Sequence, residues 1–217
     1  MCDNHKESFI QRLTEGHHQF LEHDLPLHRG LFQRLSREGQ DPRALVIACS
    51  DSRIHPNLLT RTGPGDLFIV RNVANMMPPD HDDGKGFHGT SAALEYAVTV
   101  LEVEAVIVLG HSRCGGVQAL ANGAGEESTK GGFINPWLNI AHRDADIRAV
   151  IDAGFTDGDY RALEEQMVVF SLKNLRTYDF VREREEAGKL ELHGWYFHIA
   201  EGRLHALDQK SGRFQPL

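Results

Sequence analysis

Three short, branched apolar runs punctuate the chain: Ala44-Leu45-Val46-Ile47, Leu67-Phe68-Ile69-Val70 and Ala105-Val106-Ile107-Val108-Leu109. Each is bounded by polar turn residues, the pattern of strands buried on both faces of a parallel sheet. Elsewhere the apolar positions return at helical spacing. Ile10, Leu13, His17, Phe20 and Leu21 predict an amphipathic helix over 5–23, which Pro26 should break. Leu27, Leu31, Phe32 and Leu35 predict a second helix, ended near Gly39. Helices are also expected over 90–102, 117–122, 136–151 and 160–187, with Thr90 or Ser91 as a cap for the first of these. Trp195 to Ile199 and Arg203 to Leu207 alternate around Glu201-Gly202, the signature of a hairpin. The stretches Met76 to Gly89 and Gly123 to Gly132 read as loops.

Strands alternating with helices predict an α/β fold. Its central, mostly parallel sheet has four strands plus an antiparallel edge strand, flanked by helices. The whole chain, 1–217, reads as one domain, with 1–39 as an N-terminal helical arm. The two helices ahead of the first strand have no partner within a βα unit and are expected either to cap one face of the core or to pack on another subunit as an arm.

Composition narrows the function. With 41% hydrophobic and 25% charged residues the chain is an ordinary globular protein, and its net charge of −8 argues against nucleic acid as a partner. No apolar run is long enough to span a bilayer and the start carries no apolar signal region, so no membrane partner and a cytoplasmic location are expected. Three cysteines cannot build a disulfide framework. Cys2 sits near the terminus and is expected to do nothing. Cys49 and Cys114 stand in turns that follow the first and third apolar runs, where ligands or reactive thiols belong.

In an open α/β sheet, sites form beyond the carboxyl ends of strands where the order switches direction. If the strands over 44–49 and 105–109 are neighbours, Cys49, His111 and Cys114 converge there. Two thiolates and an imidazole suit zinc and leave the fourth tetrahedral position open. Asp51 and Arg53 follow Cys49 at alternate positions. If the backbone stays extended, all three side chains project to one side; the alternative is a buried Cys49 followed by a solvated turn with a local Asp51–Arg53 pair. Arg53 would then hold Asp51 ionised as an acceptor beside the metal, whereas a bare Asp51 could swing onto it.

Those residues lie within Ala48-Cys49-Ser50-Asp51-Ser52-Arg53, Arg71-Asn72-Val73-Ala74-Asn75, Glu95-Tyr96-Ala97-Val98 and Gly110-His111-Ser112-Arg113-Cys114-Gly115-Gly116. In that order, and with Leu192-His193-Gly194-Trp195 beyond them, the chain resembles a β-class carbonic anhydrase of the plant-like branch, with a bacterial-type sequence. The resemblance implies a lyase that hydrates carbon dioxide reversibly to bicarbonate and a proton. It implies Zn2+ on Cys49, His111 and Cys114, a hydroxide generated on zinc as the attacking group, and Asp51 and Arg53 as the catalytic dyad, with Asp51 a fourth ligand in a closed state. It places Gln40, Phe68, Val73 and Tyr96 in the substrate pocket. It also implies a homodimer or higher homo-oligomer whose pocket is completed across an interface.

Two departures carry expectations of their own. The bicarbonate-inhibited branch has Trp three residues before the first Cys ligand, where this chain has Val46; Arg71 and Tyr96 match the other two members of that site, and no such inhibition is expected. Some plant-like members carry a proposed proton-shuttling His where this chain has Val100. Competing readings fit less well. A phosphatase loop needs five residues between Cys and Arg, and Cys49 to Arg53 offers three. A dinucleotide fold would show Gly-x-Gly-x-x-Gly after its first strand. A non-catalytic zinc protein leaves Asp51 and Arg53 unexplained, and another small substrate, such as carbon disulfide or carbonyl sulfide, remains open.

Overall fold

The computed structural model describes residues 8–80, 89–126 and 132–217. Cys2 and parts of both expected loops therefore lie outside the described residues. Two compact units divide the chain, Met1–Asp41 and Pro42–Leu217. In the first unit, α1 (Phe9–Gln19) opens on a capping box in which Ser8 and Gln11 exchange hydrogen bonds. The helix does not break at Pro26. It passes through a π turn (Phe20–Asp24) into α2 (Leu25–Glu38), and the wider turn, with Leu25 N–H donating to Phe20 O, lies where the proline N–H is missing.

The second unit is built on β1 (Ala44–Cys49), β2 (Leu67–Asn72), β3 (Ala105–His111), β4 (Glu191–His198), β5 (Arg203–Asp208) and β6 (Arg213–Pro216). They lie in the order β2-β1-β3-β4-β5-β6, with the first three pairings parallel and the last two antiparallel. The α/β class and mostly parallel sheet match the sequence expectation, and β6 adds a second antiparallel strand. Strand β1 is buried along its whole length. Leu45 and Ile47 join one apolar cluster while Ala44, Val46 and Ala48 join another, the period-two division of a strand covered on both faces.

Along the chain come α3 (Pro56–Thr60), α4 (Gly89–Glu95) with a π turn at Tyr96–Val100, and α5 (Gly115–Ala121). The helix expected over 136–151 is two, α6 (Ile134–His142) and α7 (Ala145–Asp152). They divide at Asp144, whose carboxylate caps α7 by accepting from Asp146 and Ile147 N–H. The helix expected over 160–187 is likewise two, α8 (Arg161–Leu175) and α9 (Asp179–Glu186).

Helix α8 presses closely on the sheet at two glycines. A Cβ at Gly110 would lie 2.6 Å from Val168 Cγ2, and one at Gly194 would lie 2.9 Å from Val168 Cγ1 and Leu172 Cδ1. The missing side chains let α8 approach next to the strand end that carries His111.

Candidate metal centre

Strands β1 and β3 pair in parallel, from Ala44 opposite Ala105 to Ala48 opposite Leu109, so their carboxyl ends lie side by side. Cys49 ends β1 and His111 ends β3. The chain then turns through Arg113, at a left-handed φ of 56°, and returns Cys114 at the start of α5. The ligand atoms of Cys49, His111 and Cys114 all lie within 4.8 Å of one another, and all three residues are buried.

The donor set fits a tetrahedral metal. Cys49 Sγ and Cys114 Sγ are 3.8 Å apart. That is too far for a disulfide, whose sulfurs sit ~2.05 Å apart. It is the spacing of two thiolates each ~2.3 Å from a tetrahedral zinc, which is ~3.8 Å. His111 Nδ1 lies 3.0 Å from the Ser112 carbonyl oxygen, which can only accept, so Nδ1 carries the proton and Nε2 a lone pair. Nε2 is buried without a hydrogen-bond partner, an arrangement that a metal would satisfy.

The Cys114 thiol, donating to Cys49, holds the Cys49 pKa low, and the same contact together with burial pushes Cys114 up. Backbone donors also favour thiolate: Asp51 N–H faces Cys49 sulfur, and Gly116 and Val117 N–H face Cys114 sulfur.

Strand β1 does not continue past Cys49, so Asp51 and Arg53 are not presented by strand alternation. The chain turns instead, with Ile54 N–H donating to the Asp51 carbonyl at 3.0 Å. The turn itself brings the pair together. Arg53 donates from its backbone N–H and Nε to Asp51 Oδ1, both at 2.9 Å, and from Nη2 to Oδ2 at 2.6 Å. Its Nη2 also donates to the Arg113 carbonyl at 3.0 Å, tying one ligand-bearing turn to the other. Those Arg53 hydrogen bonds hold the Asp51 carboxyl well below the usual carboxylate range. Asp51 Oδ2 stands 3.9 Å from His111 Nε2.

Arg71 braces this turn from β2. Its Nε donates to Cys49 O at 3.0 Å, and its Nη2 to Asp51 O at 2.7 Å and Ile54 O at 2.8 Å. Behind Cys114, Glu164 accepts the Cys114 N–H at 3.0 Å and the Tyr196 hydroxyl at 2.8 Å. Sequence reasoning assigned neither role. Arg71 stood in a motif, but its acceptors are backbone carbonyls that no side-chain pattern reveals. Glu164 gave one legible signal, an acidic residue on a helix face with buried Leu163, Met167 and Val168.

Of the expected pocket residues, Val73 packs against the apolar cluster that contains Cys49 and Cys114. Phe68 and Tyr96 do not meet the centre. They pack on each other, with ring centroids 5.9 Å apart. Phe68 is in register with Leu45 and Asn72 with Cys49. Four residues of strand, ~13 Å, therefore separate Phe68 from the level of the thiol. Gln40 belongs to the first unit.

Comparison with known proteins agrees with this geometry. The carbonic anhydrase family model matches residues 44–204. A carbonic anhydrase of Synechocystis sp. is 40% identical over 208 residues, covering 92% of this chain and 71% of that protein. The solved structure of the β-carbonic anhydrase CcaA has a TM-score of 0.85 at 38% identity, covering 96% of this chain and 92% of that one. One of two tetrameric β-carbonic anhydrases from Sordaria macrospora gives 0.75 at 30% identity, covering 92% and 96%. This chain belongs to the β-carbonic anhydrase family and is an enzyme of the carbonic anhydrase class. Among its described residues no helix is long and apolar enough to cross a membrane.

Proposed function

We propose that the enzyme hydrates carbon dioxide reversibly to bicarbonate and a proton, using zinc held by Cys49, His111 and Cys114. The observation that carries the proposal is the Asp51–Arg53 pair beside the unpartnered His111 Nε2. A bound zinc ion supplies Lewis acidity that brings the pKa of a water toward neutrality.

The chain's own residues do the rest. Asp51, kept ionised by Arg53, accepts an O–H at the site and turns the oxygen lone pair toward the substrate carbon. Arg53 occupies both carboxylate oxygens, so a closed state with Asp51 as fourth ligand would break three hydrogen bonds. Val73 contributes an apolar wall suited to a small apolar substrate. Gln40, Phe68 and Tyr96 would line the pocket of a second copy, which makes the enzyme a homodimer or larger and the residues 1–39 an arm on the partner. The tetrameric Sordaria macrospora relatives support an oligomer. With Val100 in place of a shuttle histidine, proton export falls to buffer, Tyr96 or another group.

Loss of labelled oxygen from carbon dioxide to water, followed with zinc-loaded protein at equilibrium, tests the reaction. Exchange well above the protein-free rate is expected, and exchange at the protein-free rate would contradict it.

A further inference from the structure

The side chain of Glu164 lies in the interior of the second unit, on the face of α8 that presses against the sheet, and the residue is only 4% exposed. Burying a carboxylate is costly unless its oxygens are satisfied. Here each oxygen has its own donor: Cys114 N–H on Oε1 at 3.0 Å and the Tyr196 hydroxyl on Oε2 at 2.8 Å. Tyr196 is fixed in turn by its place in β4, opposite His205 of β5, and by the Arg161 guanidinium 5.5 Å from its ring centroid. Burial and the Glu164 carboxylate both push the Tyr196 hydroxyl pKa up, so it remains a donor.

The contact falls at the part of the centre that most needs fixing. One turn, His111 to Cys114, supplies two of three ligands and passes through the left-handed Arg113. Its first half is tied to β4, where Ser112 N–H donates to Phe197 O at 3.0 Å and Ser112 Oγ accepts Ile199 N–H at 2.9 Å. Its second half reaches α8 through the Cys114 N–H, and Glu164 is the acceptor there. Gly110 and Gly194 permit the close helix approach that puts Glu164 within reach.

We infer that Glu164, oriented by Tyr196, is a positioning residue for the metal ligand Cys114: by accepting its backbone N–H it sets the turn so that Cys114 Sγ and His111 Nε2 reach one ion together. The inference rests on the metal centre proposed above. Groups that orient ligands from behind typically carry ~10–100-fold in metal affinity.

The test compares full-length wild type, Glu164→Met, which keeps volume and removes the acceptor, and Glu164→Gln, which keeps an acceptor oxygen. Zinc affinity is read by chelator competition, and ligand geometry by the visible absorption of the cobalt(II)-substituted proteins. Glu164→Met is expected to lose ~10–100-fold in zinc affinity and to shift the cobalt bands, with Glu164→Gln restoring both. Wild-type affinity and an unchanged cobalt spectrum in Glu164→Met would overturn the inference, as would a Glu164→Gln variant equally impaired. Loss of thermal stability alone does not move the cobalt bands. If Glu164→Met does not fold, Tyr196→Phe decides: a weaker loss with the same band shift supports the inference, and an unchanged spectrum overturns it. Failure of wild type to bind zinc through two thiolates would instead remove the metal centre itself.

Discussion

Arg53 grips Asp51 at both carboxylate oxygens, Nε to Oδ1 at 2.9 Å and Nη2 to Oδ2 at 2.6 Å, and adds its backbone N–H to Oδ1. A planar fork meeting a planar carboxylate fixes orientation as well as charge. The carboxylate is thereby fixed with Oδ2 at 3.9 Å from His111 Nε2.

Arg53→Ala should therefore lower kcat for carbon dioxide hydration by ~100-fold or more while zinc content stays near one per chain. Arg53→Lys should rescue little, because an ammonium cannot reproduce the two-point contact. Parallel metal analysis and steady-state kinetics check both. Loss of zinc along with activity would mean that the pair supports the centre rather than the chemistry.

His111→Ala should abolish stoichiometric zinc binding, because Nε2 is the one nitrogen donor of the cluster. Chelator treatment of wild type should remove activity, and added zinc should restore it. The chelated protein should also melt at lower temperature, since a ligand that binds only the folded state stabilises it by mass action.

Bicarbonate should act as a simple product inhibitor. Arg71 is already committed to the carbonyls of Cys49, Asp51 and Ile54, and Val46 offers no indole to complete an anion site. Initial rates against added bicarbonate should give a Hill coefficient of about one. Steep, cooperative inhibition would show that Arg71 can exchange these carbonyls for the anion.

Asp144 links stability to pH away from the centre. Burial pushes its carboxyl up, but Lys173, at 2.9 Å, and the N–H groups of Ile147 and Asp146 more than offset this, leaving it below the ordinary value. The folded pKa being the lower one, its stabilisation is complete above pH ~4 and is lost as pH falls further. Asp144→Ala should cost ~1 kcal/mol near neutrality through loss of the α7 cap. Urea unfolding as a function of pH should show the gap between the two proteins closing in acid, and a constant gap would contradict the assignment.

The sequence made the parallel core legible because β1 and β3 are buried runs with little else to be, and β2, the half-buried edge strand, carries the same branched apolar pattern. Strand β6 was not, since Phe214 is the one apolar side chain in Arg213–Pro216 that packs on the core. The division of α6 from α7 was written in Asp144, a capping residue inside a stretch whose apolar spacing runs on regardless. Cys49, His111 and Cys114 could be picked out because thiols and imidazole after strands have few other uses. The Asp51–Arg53 contact was expected either by strand alternation or as a local pair within a turn, and a turn produces it. Phe68 and Tyr96 show the limit: they pack on each other, with Phe68 four strand residues from the level of Cys49, and nothing in their own spacing gives that placement.

Stopped-flow hydration of carbon dioxide with a pH indicator, on zinc-analysed protein at pH about 7 and about 8.5, tests the proposed chemistry most directly. With Asp51 held by Arg53 and the fourth position open, fast turnover is expected at both. Turnover only at the higher pH would show Asp51 leaving Arg53 for the metal below it. Zinc bound in full and no turnover at either pH would contradict carbon dioxide hydration and turn attention to another small substrate.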